Sequence, residues 1–206
     1  MRSKHGLFTS FLFSLLAVVA MSIASFGSSP KASVAAGMLC VTVLFSSVVA
    51  LPRCFLLEDE QGTFDLLRLA TEPTAMFSGK LLYNFVQGLI SVSVLAVLFV
   101  TMTGVQVVNT PLFVCGCGFT ALAVCGGVSV CGALVIGATN RWLLGTAAAL
   151  PILLPQVFLG MGALRASMGQ GTTGSGWTSV LGLFGWALVI AAAGPLLVAA
   201  AWKSDH

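Results

Sequence analysis

The sequence predicts an all-α integral membrane protein with about six transmembrane helices, and two observations lead to this fold class. The first is composition: 58% of the 206 residues are apolar and 7% are charged, with a mean hydropathy of +1.05, whereas soluble domains carry about 25% charged residues. The second is the length of the uncharged runs, because a helix needs about 20 apolar residues to cross a bilayer.

Six runs reach this length and together predict one transmembrane domain over residues 1–206. We predict spans at about 7–27, 32–52, 81–103, 111–138, 143–163 and 177–202. The runs lack the period-two alternation of membrane β-strands, so helices are expected. The first run follows Arg2 and Lys4 and also has the form of a signal peptide. Because it is longer than a usual signal core, we expect it to be retained as a span.

The basic residues in the loops predict the orientation, since lysine and arginine stay on the cytoplasmic side. With both termini inside, Lys31 and Arg165 are the two basic residues outside. The cytoplasmic side collects the other seven, which are Arg2, Lys4, Arg53, Arg68, Lys80, Arg141 and Lys203. This predicts a multi-pass membrane protein with both termini and segment 53–80 in the cytoplasm.

Segment 53–80 is the main charged part of the chain. It contains five of the six acidic residues, Glu58, Asp59, Glu60, Asp65 and Glu72. Apolar residues alternate with these charges, which is typical of a short amphipathic helix at the membrane surface. Gly62 interrupts this helix, Thr63 is suited to cap a second one, and Pro73 ends it. Two interpretations remain: a solvated loop, or a docking element for a soluble partner.

Two blocks of sequence resemble the CcmB family, whose members are the membrane subunits of the cytochrome c maturation ABC transporter. The first block follows the second span and reads Arg53-x-Phe55-x-x-Glu58-x-x-x-Gly62-Thr63-Phe64-Asp65-x-Leu67. The second reads Gly132-Ala133-Leu134-x-x-Gly137, then Arg141, then Leu150-Pro151-x-x-x-Pro155. The order and spacing of the blocks are similar to those of the family, and the resemblance covers about residues 40–165.

The resemblance implies an ABC-2-type permease-like fold, a location in the bacterial inner (plasma) membrane, and a subunit that is itself not a catalyst. In such a complex a CcmA-like ATPase hydrolyses ATP, and CcmC-like and CcmD-like membrane subunits and a CcmE-like haem chaperone take part. The ATP-driven step is linked to haem delivery or to release of the haem-loaded chaperone. Segment 53–72 would then be the coupling element, with docking residues Arg53, Phe55, Glu58, Asp59, Gly62, Thr63, Phe64, Asp65 and Leu67. A homodimer is expected by analogy with ABC architecture in general.

The chain departs from the family pattern in two places. The family usually carries a longer amphipathic segment before the first span, where about six residues stand here. It also often places a histidine four residues after the lysine that corresponds to Lys80, and this chain has Asn84. A role for that histidine is therefore not carried over.

No cofactor or metal site is predicted from the residue types, and haem is expected only as a handled or transported ligand. The two histidines, His5 and His206, lie at the two ends of the chain and on the predicted cytoplasmic side. Met161 and Met168 are an alternative haem-ligand pair, but we favour apolar lining for both. No basic cluster suggests nucleic acid, and lipid is the expected surroundings.

The cysteines are interpreted as small apolar residues rather than as a metal site. They are Cys40, Cys54, Cys115, Cys117, Cys125 and Cys131. In a helix, Cys115 and Cys117 point about 200° apart, so the pair does not converge on one ion.

Span 5 contains Pro151 and Pro155, which predict a kink because each removes a backbone donor. Arg141 and Arg165 are expected in loops at the membrane interface, and Arg165 has the alternative of meeting a haem propionate or an acidic partner.

The absence of charge in the middle of the predicted spans argues against ion-coupled transport. Two other functions stay open: a non-transporting membrane scaffold, and a general ABC-2-type permease for a lipid or drug.

Overall fold

The computed structural model describes residues 3–24, 30–50, 72–134 and 141–204. Within these ranges the protein contains six α-helices and no β-strand, which confirms the predicted all-α class. The helices are α1 (Ser3–Ala24), α2 (Ala32–Ala50), α3 (Pro73–Thr103), α4 (Thr110–Leu134), α5 (Arg141–Ser167) and α6 (Thr173–Ser204).

Three of the described helices are long and apolar enough to cross a membrane by length and composition. These stretches are Thr74–Thr103 in α3, Thr110–Ala133 in α4 and Thr173–Leu197 in α6. Shorter apolar helical stretches occur at Ser14–Ala24 in α1 and at Ala32–Ser47 in α2. The number of spans therefore stays a prediction.

Helix α3 begins earlier than the predicted span. Glu72 is extended (φ −67°, ψ 143°) and Pro73 is the first helical residue. Proline fits there because its fixed φ is already helical and its missing N–H would have no partner in the helix. The predicted break at Glu72 and Pro73 is thus the start of α3, and Lys80 lies inside the helix rather than at the mouth of a span beginning at 81.

Two glycines in the left-handed region end helices α3 and α5. Gly104 (φ 64°) donates its N–H to the Val100 carbonyl at 3.1 Å. Gly169 (φ 85°) donates to Ala166 O at 3.2 Å, while Gln170 N–H reaches Arg165 O at 3.1 Å, which is the Schellman pattern.

Both arginines expected in loops lie in α5 instead. Arg141 is its first residue, and the exposed Arg165 lies in its last turn. There the carbonyl groups at the helix end favour a cation.

Hydrogen bonds show which helix ends lie together. Ser22 Oγ on α1 donates to Met102 O on α3 at 2.8 Å. The N–H groups of Val108 and Asn109, in the α3–α4 connection, both reach Ser167 O at the end of α5 at 3.0 Å. The other end of the bundle therefore contains the end of α2, the start of α3, the end of α4 and the start of α5. We call this the 51–71 end, after the segment that joins α2 to α3.

Helix α4 is the central helix of the described bundle. In its most apolar window 72% of the residues are buried, against 22% in α3 and in α6. Its residues Phe113, Cys117 and Ala121 belong to a core cluster with α1, α2, α3 and α5, and Val130 packs with Phe77 and Ile190 nearer the 51–71 end. Because protein interiors are closely packed, a displacement of α4 would also displace most of the helices that contact it.

Candidate functional site

The predicted docking residues lie in segment 51–71, outside the described residues. The nine are Arg53, Phe55, Glu58, Asp59, Gly62, Thr63, Phe64, Asp65 and Leu67. Docking therefore stays a prediction, as does the place of Cys54. The structure does describe the helices to which this segment is joined, α2 ending at Ala50 and α3 beginning at Pro73.

A polar cluster joins these two helices to α4 near the 51–71 end. We call it the polar junction; its members are Ser46 and Ser47 on α2, Asn84, Gln87 and Ser91 on α3, and Cys125 and Ser129 on α4. Asn84 is fully buried and its Nδ2 donates to Ser129 Oγ at 2.9 Å. Ser129 Oγ in turn donates to Cys125 O at 2.7 Å. These contacts fix α3 against α4.

Helix α2 is held to α4 at the same level. The Cys125 thiol lies 3.9 Å from Ser47 Oγ, within reach of a weak hydrogen bond, and Ser47 Oγ donates to Val43 O at 2.8 Å. On the facing side, a methyl group at Gly88 of α3 would clash with Cys125 Sγ. Glycine at position 88 therefore lets α3 approach α4 closely enough for Asn84 to reach Ser129.

A small cavity of about 10 Å³ lies within the junction. It is lined by Ser46, Ser47, Gln87, Gly88, Ser91, Val92 and Cys125. That volume is about the smallest that holds one water molecule, and hydroxyl and amide groups supply polar partners. The junction is thus suited to holding helices together in an apolar environment, rather than to chemistry on a substrate.

In the sequence, Asn84 stands out only as a departure from the family pattern, and Ser47 and Ser129 do not stand out. The available signal was polar side chains inside apolar runs, which in membrane helices usually face the protein interior. Asn84, Gln87 and Ser91 fall at helical spacing on α3, so one face could have been recognised. Their partners on α2 and α4 depend on the three-dimensional packing.

The prolines predicted to kink span 5 lie in α5, which stays helical through both. Pro151 and Pro155 have exposed rings. The kink itself stays a prediction.

The two methionines considered for haem lie in the apolar core. Met168 is buried in the cluster shared by α1, α2, α3, α4 and α5, and Met161 packs against it. A methyl group at Gly37 would lie 3.7 Å from Met161 Sδ. These contacts are those of apolar lining, which is the interpretation that the sequence favours.

The five described cysteines are free thiols within the helices. Cys117 and Cys40 belong to the core cluster just described, whereas Cys115 packs against a separate cluster that contains Leu112 and Val180. Among the described residues, no three His, Cys, Asp or Glu side chains come together as metal ligands.

An apolar groove of about 510 Å³ runs between α3 and α4, toward the end opposite the 51–71 end. Its walls include Ala96, Val100, Phe113 and Val114, and its few polar groups include Ser93 and Thr101. Because most of its lining is apolar, the groove is chemically suited to lipid chains or to another apolar surface.

A comparison with protein families gives a match over residues 1–204 to the family described as CcmB protein. The chain belongs to the CcmB family. The match includes both sequence blocks and all the helices of the polar junction. No curated protein and no solved structure gives a significant match. As a CcmB-family protein, the chain is a membrane component of the cytochrome c maturation haem-export system and associates with other components of that system.

Proposed function

We propose that this chain is the permease-like, non-catalytic subunit that couples ATP hydrolysis by a CcmA-like ATPase to haem delivery or to release of a haem-loaded CcmE-like chaperone. The observation that carries the proposal is the family match over residues 1–204. CcmC-like and CcmD-like subunits are the proposed membrane neighbours. The proposed location is the bacterial inner membrane with both termini cytoplasmic.

The polar junction suggests how movement reaches the membrane. Segment 51–71 connects α2 to α3, so an ATPase bound there pulls or pushes on both helices. Ser47 and Asn84 carry this displacement to α4 through their contacts with Cys125 and Ser129. Of the three helices long and apolar enough to cross a membrane, α4 is the most buried. Its displacement therefore changes the packing of the helices around it.

The test is co-purification of the CcmA-like ATPase with the wild-type chain and with Glu58→Lys, Gly62→Trp and Asp65→Lys, together with cytochrome c assembly in the same cells. We expect the variants to reach the membrane but to lose the ATPase and the cytochromes, because reversed charge repels basic groups on the partner and tryptophan blocks close backbone approach. Lys31→Ala is the control, since Lys31 is exposed at the opposite end.

Three other outcomes are informative. Retention of both the ATPase and the cytochromes would show that 53–72 is a solvated loop. A strain that lacks this chain and still assembles cytochromes c would refute the function. Loss of assembly without any movement of haem attributable to this subunit would favour the non-transporting scaffold.

A second candidate, a permease for a lipid, is favoured by the apolar groove between α3 and α4. Val100→Trp would fill the groove. A lipid permease predicts that this variant alters the lipid content of the outer leaflet while cytochrome c assembly stays normal. The coupling function predicts no change in lipid content.

A further inference from the structure

Helices α4 and α5 pack closely along a row of small residues. We call this the α4–α5 seam; its members are Gly116, Thr120 and Gly127 on α4 and Gln156, Gly160 and Ala163 on α5. A methyl group at Gly116 would lie 3.4 Å from Ala163 Cβ, and one at Gly160 would lie 2.7 Å from Thr120 Oγ1. Glycine on each helix thus lets the other helix come near, as in many membrane helix pairs.

Two polar side chains in this seam are buried without a hydrogen-bond partner in the described structure. Gln156 is 0% exposed, and neither its Oε1 nor its Nε2 has a partner. Thr120 is 1% exposed and its Oγ1 is also unpartnered. The two groups lie on opposite helices of one interface. This is unusual, because nearly all buried polar groups in folded proteins form hydrogen bonds.

The surroundings of Gln156 supply packing rather than polar partners. A methyl group at Gly127 would lie 2.9 Å from Gln156 Nε2 and 3.2 Å from side-chain carbons of Ile152 and Leu153. The amide therefore lies against the α4 backbone and apolar carbon. Closing the seam in this way costs free energy, since the amide gives up its hydrogen bonds to water.

The seam contrasts with the polar junction on the other side of α4. There, Asn84 Nδ2 and the Cys125 thiol have partners that connect α4 to α3 and α2. In α5, Pro151 and Pro155 precede Gln156 and remove two backbone donors from the helix. In the described structure α4 is thus hydrogen-bonded to α2 and α3, although Asn84 Oδ1 in the junction has no partner. In the contact of α4 with α5, by contrast, no polar side-chain atom of Gln156 or Thr120 has a partner among the described residues.

We propose that the α4–α5 seam is a gate that opens during the working cycle and admits water to Gln156 and Thr120. The unsatisfied Gln156 amide raises the free energy of the closed seam, and hydration of the amide in the open seam lowers it. The two glycines that face these side chains allow the closed packing. Gln156 is a positioning residue: it sets the balance between the two states. The gate rests on the proposed function, which supplies the working cycle and the activity readout of the test.

The test replaces the amide by an apolar group of similar length, Gln156→Met, with Thr120→Val as a second variant of nearly the same shape. Thermal unfolding of the purified chain measures the closed state, and cytochrome c assembly at matched expression measures the cycle. We expect both variants to raise the unfolding temperature by a few degrees and to reduce assembly several-fold. Ser129→Ala is the control: it removes a hydrogen bond that is made, and so lowers the unfolding temperature.

Each other outcome overturns the proposal. A lowered or unchanged unfolding temperature in both variants would show that the polar groups have partners in the folded state. A raised temperature with full assembly would show that the seam does not need to open. Backbone hydrogen exchange over residues 152–160, with the ATPase and ATP present, should be faster in the wild type than in Gln156→Met; equal rates count against a gate. If assembly proves independent of this chain altogether, the proposed function fails while the unfolding temperatures still decide the seam.

Discussion

Asn84 on α3 donates a hydrogen bond from Nδ2 to Ser129 Oγ on α4 over 2.9 Å, in a site where both side chains are at most 2% exposed. In an apolar environment such a bond fixes the relative position of two helices, because separating them leaves the Asn84 Nδ2 group without its partner. Ser129 also donates to the Cys125 carbonyl of its own helix. The bond therefore connects α3 directly to the backbone turn of α4 that faces Ser47.

Asn84→Leu should lower the unfolding temperature and reduce cytochrome c assembly while leaving the ATPase bound. The expected cost is about 1 kcal/mol, because one hydrogen bond is lost while Ser129 still donates to the Cys125 carbonyl and the unpartnered Asn84 Oδ1 is removed with the amide. A thermal unfolding series with a double-mutant cycle measures it. Asn84→Leu combined with Ser129→Ala should cost less than the sum of the two single changes. Additive losses would mean that the two side chains are not coupled.

Gly88→Ala should destabilise the bundle, because the new methyl group clashes with Cys125 Sγ. Overpacking of this kind costs about 1–3 kcal/mol. Cys125→Ala in the same chain makes room and should recover part of the loss. The matched control is Gly79→Ala on the same helix, where a methyl group meets no atom within 4 Å. Thermal unfolding of the three variants decides the matter, and equal effects at positions 79 and 88 would contradict the described packing.

Gly169→Ala should lower stability by about 1–2 kcal/mol, since an L residue is strained in the left-handed region. Gly169 has φ 85°, and its added methyl group would also lie 3.0 Å from Val108 Cγ2. Gly174→Ala is the control, because that glycine is helical and a methyl group there meets nothing within 4 Å. If both variants unfold at the same temperature, the helix end described at Gly169 is wrong.

Gly160→Ala should separate α4 from α5, because its methyl group would lie 2.7 Å from Thr120 Oγ1 and 3.2 Å from Cys40 Sγ. The expected result is a lower unfolding temperature and faster backbone hydrogen exchange in the middle of both helices. Gly185→Ala on α6, with no atom within 4 Å of the new methyl group, is the matched control. Unchanged exchange in Gly160→Ala would refute the close contact.

The sequence predicts the fold class well because apolar run length is a direct consequence of the bilayer. It predicts the ends of the helices less well, because a charge marks where a predicted span ends and not where a helix begins. Lys80 marks the start of a span by its charge, yet α3 begins at Pro73, because backbone hydrogen bonding continues past a single lysine whose long side chain is tolerated. Arg165 likewise lies in α5 rather than in a loop.

The site was harder to predict than the fold. Asn84 and Ser129 are 45 residues apart in the chain, and no local period relates residues on different helices. The rotation of each helix about its axis, set by side-chain packing, decides which polar groups meet. The same holds for Gln156 on α5. The residues around it in the sequence do not indicate that its amide packs against Gly127 of α4.

The hydrogen bonds at Ser167 have a mechanical consequence. The Ser167 carbonyl oxygen accepts hydrogen bonds from the N–H groups of both Val108 and Asn109. These two bonds hold the α3–α4 connection against the end of α5. A helix rises about 1.5 Å per residue, so the start of α5 at Arg141 lies far from these hydrogen bonds at Ser167. If α5 tilts about Ser167, small rotations there become displacements of several ångströms at the opposite end, where segment 51–71 joins the membrane helices.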